Sequence, residues 1–158
     1  MLQVSHKTLI YLSGLIWFIV GFLLLRLGLN LLMSITPGEA TTLPLISLLL
    51  PFVSQHNQAI TAVLCFACVI GYLKGRFVLG KSVQKGVVRI VSFPNPTSLG
   101  NIYSLKYYLL LGGMVGLGMS IKFLGLTNDV RGLIDVAIGI ALLVGAMNYF
   151  RQASSLTA

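Results

Sequence analysis

The sequence predicts an all-α integral membrane protein with four transmembrane helices, and three observations lead to that fold class. Hydrophobic residues make up 56% of the 158-residue chain, charged residues only 9%, and the mean hydropathy is +0.94. A soluble domain is typically about one quarter charged, because its surface faces water. The chain also contains four apolar runs, each near the roughly 20 residues that a helix needs to cross a bilayer. None of these runs alternates polar and apolar residues as a strand would, so we expect helices.

The first run, residues 8–33, contains one charge, Arg26. A cleavable signal peptide is the alternative interpretation, because Lys7 precedes the apolar residues. The hydrophobic region of a signal peptide is usually about 7 to 15 residues long and ends at a small-residue cleavage site. This run is longer and has no clear site of that kind, so we predict a retained span. The other three spans are predicted at 57–76, 107–126 and 132–150.

A shorter apolar stretch lies between the first two spans, at 42–54, and contains two prolines. Stretches of about 10 to 14 apolar residues are commonly interfacial or re-entrant. Thr41 or Thr42 can cap a short helix there, and Pro44 is tolerated in its first turn. We therefore predict a short re-entrant or interfacial helix, with a fifth span as the alternative.

The distribution of basic residues predicts the orientation of the chain. The connection at 77–106, with the adjacent end of the second span, is rich in Lys and Arg, whereas the other two connections contain one basic residue, Arg131. Cytoplasmic loops carry an excess of Lys and Arg. Lys7 and Arg151 join the same side, as an even number of spans requires. We therefore expect a single polytopic domain in a plasma or inner membrane, with both termini in the cytoplasm.

The basic connection also carries a spaced set of cations. Lys81, Lys85 and Arg89 follow one another at intervals of four residues, so a helix places them on one face. We expect the second span to continue past the membrane as this helix and to end before Pro94 and Pro96. A basic stripe beside a membrane typically contacts anionic lipid headgroups, worth about 1 kcal/mol per charge. We predict that these three residues contact lipid headgroups. Binding to nucleic acid or to a phosphoprotein is the alternative, and we do not expect nucleic acid as a partner.

Glycines recur every seven residues in two of the predicted spans, at positions 14, 21 and 28 and at positions 132 and 139, where Ala146 continues the series. Helices associate in lipid by close packing of small residues, and a seven-residue spacing keeps those residues on one seam. We therefore expect tight helix packing at these positions. A short similarity between 26–30 and 122–128 favours two tandem helix pairs, with chance similarity between apolar segments as the alternative.

Three ionisable residues lie within the predicted spans, and each costs about 3 kcal/mol or more to bury in lipid. They are Arg26, Lys122 and Asp135. Arg26 and Lys122 lie near the outer ends of their spans, where long side chains can snorkel to water. Asp135 can pair with Arg131, one turn away, or with a cation on another helix. Two cations and one carboxylate would form a net positive pocket, so we predict that the three residues bind a small anionic solute.

The sequence contains no catalytic or metal-binding pattern. Cys65 and Cys68 form the only cysteine pair, and neither histidine lies at a metal-ligand spacing from them. We therefore expect neither an enzyme nor a cofactor. The charges within the spans and the glycine spacing favour a transporter or channel subunit, and four short spans enclose so little volume that we expect a homo-oligomer. A non-transporting scaffold or assembly factor that binds partner helices and anionic lipid is the alternative.

Overall fold

The computed structural model describes residues 3–40, 42–53, 55–93, 97–98, 113, 116 and 125–155. In these ranges the chain is helical, apart from two short strands. The elements in chain order are β1 (Gln3–Val4), α1 (His6–Met33), α2 (Pro37–Ala40), α3 (Pro44–Leu49), a 3-10 turn (Leu50–Phe52), α4 (His56–Lys74), a π-helical segment (Gly75–Leu79), α5 (Gly80–Val91), β2 (Thr97–Ser98) and α6 (Asn128–Ser155).

Within the described residues, three helices are long and apolar enough to cross a membrane. They are His6–Met33, the continuous 36-residue helix His56–Val91, and Asn128–Ser155. The prediction of long apolar helices is confirmed for these three, which contain the first, second and last predicted spans. The second helix is longer than its predicted span, because it continues through the π-helical segment into α5. The span predicted at 107–126 lies outside the described residues, apart from positions 113, 116, 125 and 126.

α1 and α6 pack closely and run in opposite directions. A Cβ atom added to Gly28 would lie 2.8 Å from the carbonyl oxygen of Gly132, and one added to Gly21 would lie 2.9 Å from the carbonyl oxygen of Gly139. Side chains are excluded at these distances, so glycine permits the backbones to approach. Because later residues of α1 face earlier residues of α6, the two helices are antiparallel.

α4 packs on a second face of α6 and runs in the same direction as α6. A Cβ atom added to Gly71 would lie 2.5 Å from the carbonyl oxygen of Ala137, and one added to Gly75 would lie 2.9 Å from that of Ala141. Two glycines four residues apart thus contact two alanines four residues apart in the same order, so the helices are parallel. The helix α6 is thus held between an antiparallel and a parallel neighbour.

α1 and α6 are also similar in sequence. Residues 14–30 read GLIWFIVGFLLLRLGLN and residues 132–148 read GLIDVAIGIALLVGAMN, which are identical at seven of 17 aligned positions. Gly21 and Gly139 are aligned with each other and also lie in contact, whereas Gly28 lies against Gly132, the equivalent of Gly14. The two segments are therefore related by an approximate two-fold axis near Gly21 and Gly139.

The two ends of the helices differ in charge and in what they pack against. At one end, α5 turns Val83, Val87 and Ile90 onto the start of α1 and the last turns of α6, where Trp17 meets Tyr149 edge to face with ring centroids 5.5 Å apart. We call this the basic end, because it carries the exposed cations Lys7, Lys74, Arg76, Lys81, Lys85, Arg89 and Arg151. We call the opposite end, with α2, α3 and the first turns of α4 and α6, the loop end.

The short predicted helix between the first two spans corresponds to α3 and the 3-10 turn. The prediction that Thr42 caps this helix is wrong. Thr42 donates its hydroxyl to the carbonyl of Glu39 at 2.7 Å, and Leu43, at the N-cap of α3, forms no side-chain cap. Thr41 lies outside the described residues. The placement of this helix as re-entrant or interfacial stays a prediction.

β1 and β2 form a two-residue antiparallel pair, in which Gln3 pairs with Ser98 and Val4 with Thr97. This pairing brings Ser98 beside the start of α1, at the basic end. The next helix described, α6, begins at the loop end, shortly after Gly125, whose φ of 64° favours glycine. Ser98 and Gly125 therefore lie at opposite ends of the molecule.

Candidate functional site

The candidate site is an ion pair on the second turn of α6. The Nε atom of Arg131 lies 3.8 Å from Oδ2 of Asp135, and the two side chains are 19% and 2% exposed. Asp135 is thus almost fully buried in a helix whose other residues are mostly apolar. The sequence allows Asp135 to pair locally with Arg131 or with a cation on another helix. In the structure, Asp135 pairs with Arg131.

This ion pair is loosely made. Its separation exceeds a hydrogen-bond distance, and among the described residues neither Arg131 Nε nor Asp135 Oδ2 has a hydrogen-bond partner. A buried charged group without hydrogen bonds is destabilising, and the attraction of an ion pair offsets that cost only when its geometry is good. The pair therefore contains a buried donor atom and a buried acceptor atom whose hydrogen-bonding capacity is unused among the described residues.

Close packing of α6 against α1 fixes the backbone on either side of Asp135. Gly132 contacts Leu32, with an added Cβ only 2.7 Å from its Cγ, and the backbone nitrogen of Val136 would lie 2.7 Å from a Cβ on Gly28. These contacts allow little sliding or rotation of α6 at this level. Any rearrangement of the ion pair must therefore come from the side chains of Arg131 and Asp135.

The structure does not bring Arg26 to Asp135. Arg26 is exposed on α1, two residues before the seam glycine Gly28. Two residues correspond to about 200° around a helix, so Arg26 points away from α6. Lys122, the third member of the predicted solute site, lies outside the described residues. Solute binding by Arg26, Lys122 and Asp135 stays a prediction.

A second acidic residue, Asp129, is fully buried at the loop end. Its Oδ2 accepts hydrogen bonds from the backbone nitrogens of Leu45 at 2.8 Å and Ile46 at 3.4 Å, in the first turn of α3. Its Oδ1 accepts from the hydroxyl of Thr127 and from the backbone nitrogen of Val130 at 2.8 Å. One carboxylate thus satisfies the N-termini of α3 and α6 together, where the helix dipoles favour negative charge.

Sequence reasoning missed this role of Asp129. An acidic residue in the first turn of a predicted helix is a signal for capping of that helix. The capping of α3 has no local signal, because Leu45 lies 84 residues away in sequence.

The predicted lipid-contact residues lie on one exposed face of α5. Lys81, Lys85 and Arg89 are all exposed, and the opposite face of α5 buries the valines that pack at the basic end. Their spacing thus leaves three cations free of the protein core. Lipid contact by these three residues stays a prediction.

The second long helix is interrupted by π-helical geometry at Gly75–Leu79. Gly75 contacts α6 there, with an added Cβ 2.8 Å from Cβ of Val144. Such segments are uncommon and are often found at functional sites. Cys65 and Cys68, on the preceding part of the helix, are free thiols.

Comparison of the chain with protein-family models, with curated proteins and with solved structures found no significant match.

Proposed function

We propose that this chain is a four-span membrane protein that carries a small anionic solute across the bilayer. The directions of the helices support four spans. α1 is antiparallel to α6 and α4 is parallel to α6, so the chain must return to the loop end before α6 begins. A span at 107–126 provides that return. The described residues Gly113 and Gly116, which are both helical, agree with it.

The charge distribution supports the proposed orientation. The three acidic residues of the chain, Glu39, Asp129 and Asp135, all lie at the loop end. The exposed cations of α5 and Arg151 lie at the opposite end, which the positive-inside rule places in the cytoplasm of a plasma or inner membrane. Both termini are then cytoplasmic.

The observation that carries the transport proposal is the loosely paired Arg131–Asp135 site. Ionisable residues within membrane helices mark ion and solute pathways, since they are expensive to bury. An anionic solute would compete with the carboxylate of Asp135 for the guanidinium of Arg131. The displaced carboxylate would take up one proton, so that one anion and one proton move together without leaving an unpaired buried charge. Lys122 remains a candidate for attracting the anion, whereas Arg26 lies on the exposed face of α1.

The relation between α1 and α6 gives independent support. Secondary transporters are commonly built from inverted repeats that are detectable as weak internal sequence similarity and related by a two-fold axis in the membrane plane. The similar segments 14–30 and 132–148 are antiparallel and meet at equivalent glycines, Gly21 and Gly139. This relation differs from the tandem pairs expected from the similarity of 26–30 and 122–128.

Anion flux into proteoliposomes tests the proposal. The purified chain is reconstituted, and osmotic swelling is followed by light scattering in chloride, nitrate, acetate and phosphate salts. We expect the wild type to accelerate swelling in at least one of them. Arg131→Gln removes a charged hydrogen-bond donor worth about 1.5 to 3 kcal/mol, so flux should fall by about tenfold or more. Arg26→Gln, the same change on the exposed face of α1, is the matched control and should retain flux.

Two results would contradict parts of this account. Equal loss of flux in Arg26→Gln and Arg131→Gln would indicate that Arg26 also belongs to the solute site. Wild-type protein without flux in all four salts would contradict transport of small anions. It would favour a membrane scaffold that binds partner helices, including copies of itself.

One observation favours the scaffold as a second candidate. The contact between α1 and α6 is so close at Gly21, Gly28 and Gly139 that no space for a solute lies between these two helices. A scaffold requires a rigid core of this kind, whereas a transporter requires its pathway elsewhere, beside Arg131 and Asp135. The flux of the two arginine variants distinguishes the candidates.

A further inference from the structure

A polar groove of about 550 Å³ lies at the basic end, between α6 and the second long helix. Its lining extends from the last turn of α4 through the π-helical segment to the first turns of α5, and includes the last turns of α6. Its polar lining consists of three cations, three amides and one phenol, namely Arg76, Lys81, Arg151, Gln84, Asn148, Gln152 and Tyr72. Its walls therefore come from both helices.

The charge of this groove is uncompensated. Its described lining contains three cations and no carboxylate, and the acidic residues of the chain all lie at the loop end. Asp135 precedes Arg151 by 16 residues on α6, or about 24 Å along the helix. At that distance in salt, charge screening leaves little attraction between the two groups. The groove therefore favours an anion.

The amide groups are placed to donate hydrogen bonds to such an anion. Asn148 and Gln152 are one turn apart on α6, so both face the groove, and Gln84 faces it from α5. Gly80 leaves room beside Asn148, since an added Cβ would lie 3.7 Å from its Nδ2 atom. Several donors that converge from two helices fit the oxygens of a phosphate group.

The guanidinium of Arg76 is held at the edge of the groove. Its Nη1 atom donates to the hydroxyl of Tyr72 at 3.1 Å, one turn back on the same helix. Tyrosine and arginine together are typical of the boundary between hydrocarbon and headgroups. Arg76 lies 20 residues after His56, which corresponds to about 30 Å of helix, the thickness of a bilayer core.

Apolar side chains line the same groove and select a lipid over a free ion. Phe77 and Met147 are 61% and 54% exposed, and both belong to its lining. A bound inorganic anion would leave these apolar side chains exposed, whereas the acyl chains of a lipid would cover them. We propose that this groove binds the phosphate of an anionic phospholipid headgroup from the cytoplasmic leaflet. The proposal rests on the membrane insertion and orientation proposed above, but not on transport.

Native mass spectrometry of the full-length protein in detergent tests the groove. The protein is titrated with phosphatidylglycerol and, separately, with phosphatidylcholine, and bound lipid is counted. The variant Arg76→Gln/Arg151→Gln removes two groove cations. The matched control, Lys7→Gln/Lys74→Gln, removes two exposed cations that do not line this groove and are not among the predicted lipid-contact residues of α5. We expect the Kd for phosphatidylglycerol to rise by about tenfold in the groove variant and to change little in the control.

Three further measurements keep the proposal falsifiable. The variant Arg76→Lys/Arg151→Lys keeps the charge and should retain selective binding, which separates loss of charge from loss of fold. Inorganic phosphate at matched concentration should not displace the lipid. Equal loss in the groove and control variants would overturn the proposal in favour of a diffuse basic surface, and displacement by phosphate would overturn it in favour of a free anion. Arg131→Gln should bind the lipid normally, so failure of transport leaves this result interpretable.

Discussion

The carboxylate of Asp129 accepts a hydrogen bond from the backbone nitrogen of Leu45 at 2.8 Å, although 84 residues separate the two in sequence. This bond attaches the short helix α3 to the first turn of α6. Both residues lie at the loop end, where α3 contacts α4 and α6. The buried carboxylate is therefore a structural group, unlike that of Asp135, whose Oδ2 has no hydrogen-bond partner among the described residues.

Replacement of Asp129 by Asn should weaken this attachment. The substitution removes the negative charge and turns one acceptor into a donor, so either the backbone N–H groups of α3 or that of Val130 lose their acceptor. The expected loss of unfolding free energy is about 1 to 3 kcal/mol. Thermal unfolding in detergent measures it, and limited proteolysis within 42–53 should become faster. Glu39→Gln, at an exposed acid whose carboxylate accepts from the backbone nitrogen and the hydroxyl of neighbouring Thr36, is the control. Equal thermal stability of the two variants would contradict the role of Asp129 in attaching α3 to α6.

The close contact between α1 and α6 predicts that replacing glycine by alanine changes stability in opposite directions at Gly28 and at Gly38. Alanine favours a helix over glycine by up to about 1 kcal/mol. Gly38→Ala should therefore be neutral or slightly stabilising, since an added Cβ at Gly38 meets nothing within 4 Å. Gly28→Ala should destabilise by about 1 to 3 kcal/mol, because its Cβ would lie 2.7 Å from the backbone nitrogen of Val136. Differential scanning fluorimetry in detergent compares the two. A stabilised Gly28→Ala would contradict the tight contact.

Composition and apolar periodicity were sufficient to predict the long apolar helices, because burial in lipid imposes length and hydropathy directly on the sequence. The continuation of the second helix past its span, to Val91, confirms the expectation that it ends before Pro94. Its last turns are amphipathic and are stabilised by packing of Val83, Val87 and Ile90 on other helices. Such tertiary contacts have no local signal beyond the alternation of the valines with cations.

The candidate site shows what sequence order alone leaves open. The pairing of Asp135 with Arg131 follows from helical spacing and was one of the two alternatives. The direction of Arg26 could also have been read from its spacing, because a residue two positions from a seam glycine lies on the far face of the helix. Which face of α1 meets α6 depends on the glycine contact, and only the assembled helices establish it.

The proposed fourth span predicts the sides from which two positions can be labelled. Single cysteines are placed at Ser98 and at Leu126 in a variant without Cys65 and Cys68. With a membrane-impermeant maleimide, we expect Ser98→Cys to react only from the cytoplasmic side and Leu126→Cys only from the outer side. The reason is that Ser98 pairs with the N-terminal strand and Leu126 directly precedes α6 at the loop end. Reaction of both from the same side would contradict a crossing between them.

The most direct test of the central proposal is whether anion entry carries protons. Proteoliposomes that contain a pH-sensitive dye are mixed with the anion salt that supports the fastest wild-type swelling, and the internal pH is recorded. We predict that wild-type protein acidifies the interior on addition of the anion and that Asp135→Asn, which cannot take up the proton, does not. Equal acidification by wild type and Asp135→Asn, or anion entry by the wild type without acidification, would contradict a carrier role for the Arg131–Asp135 pair.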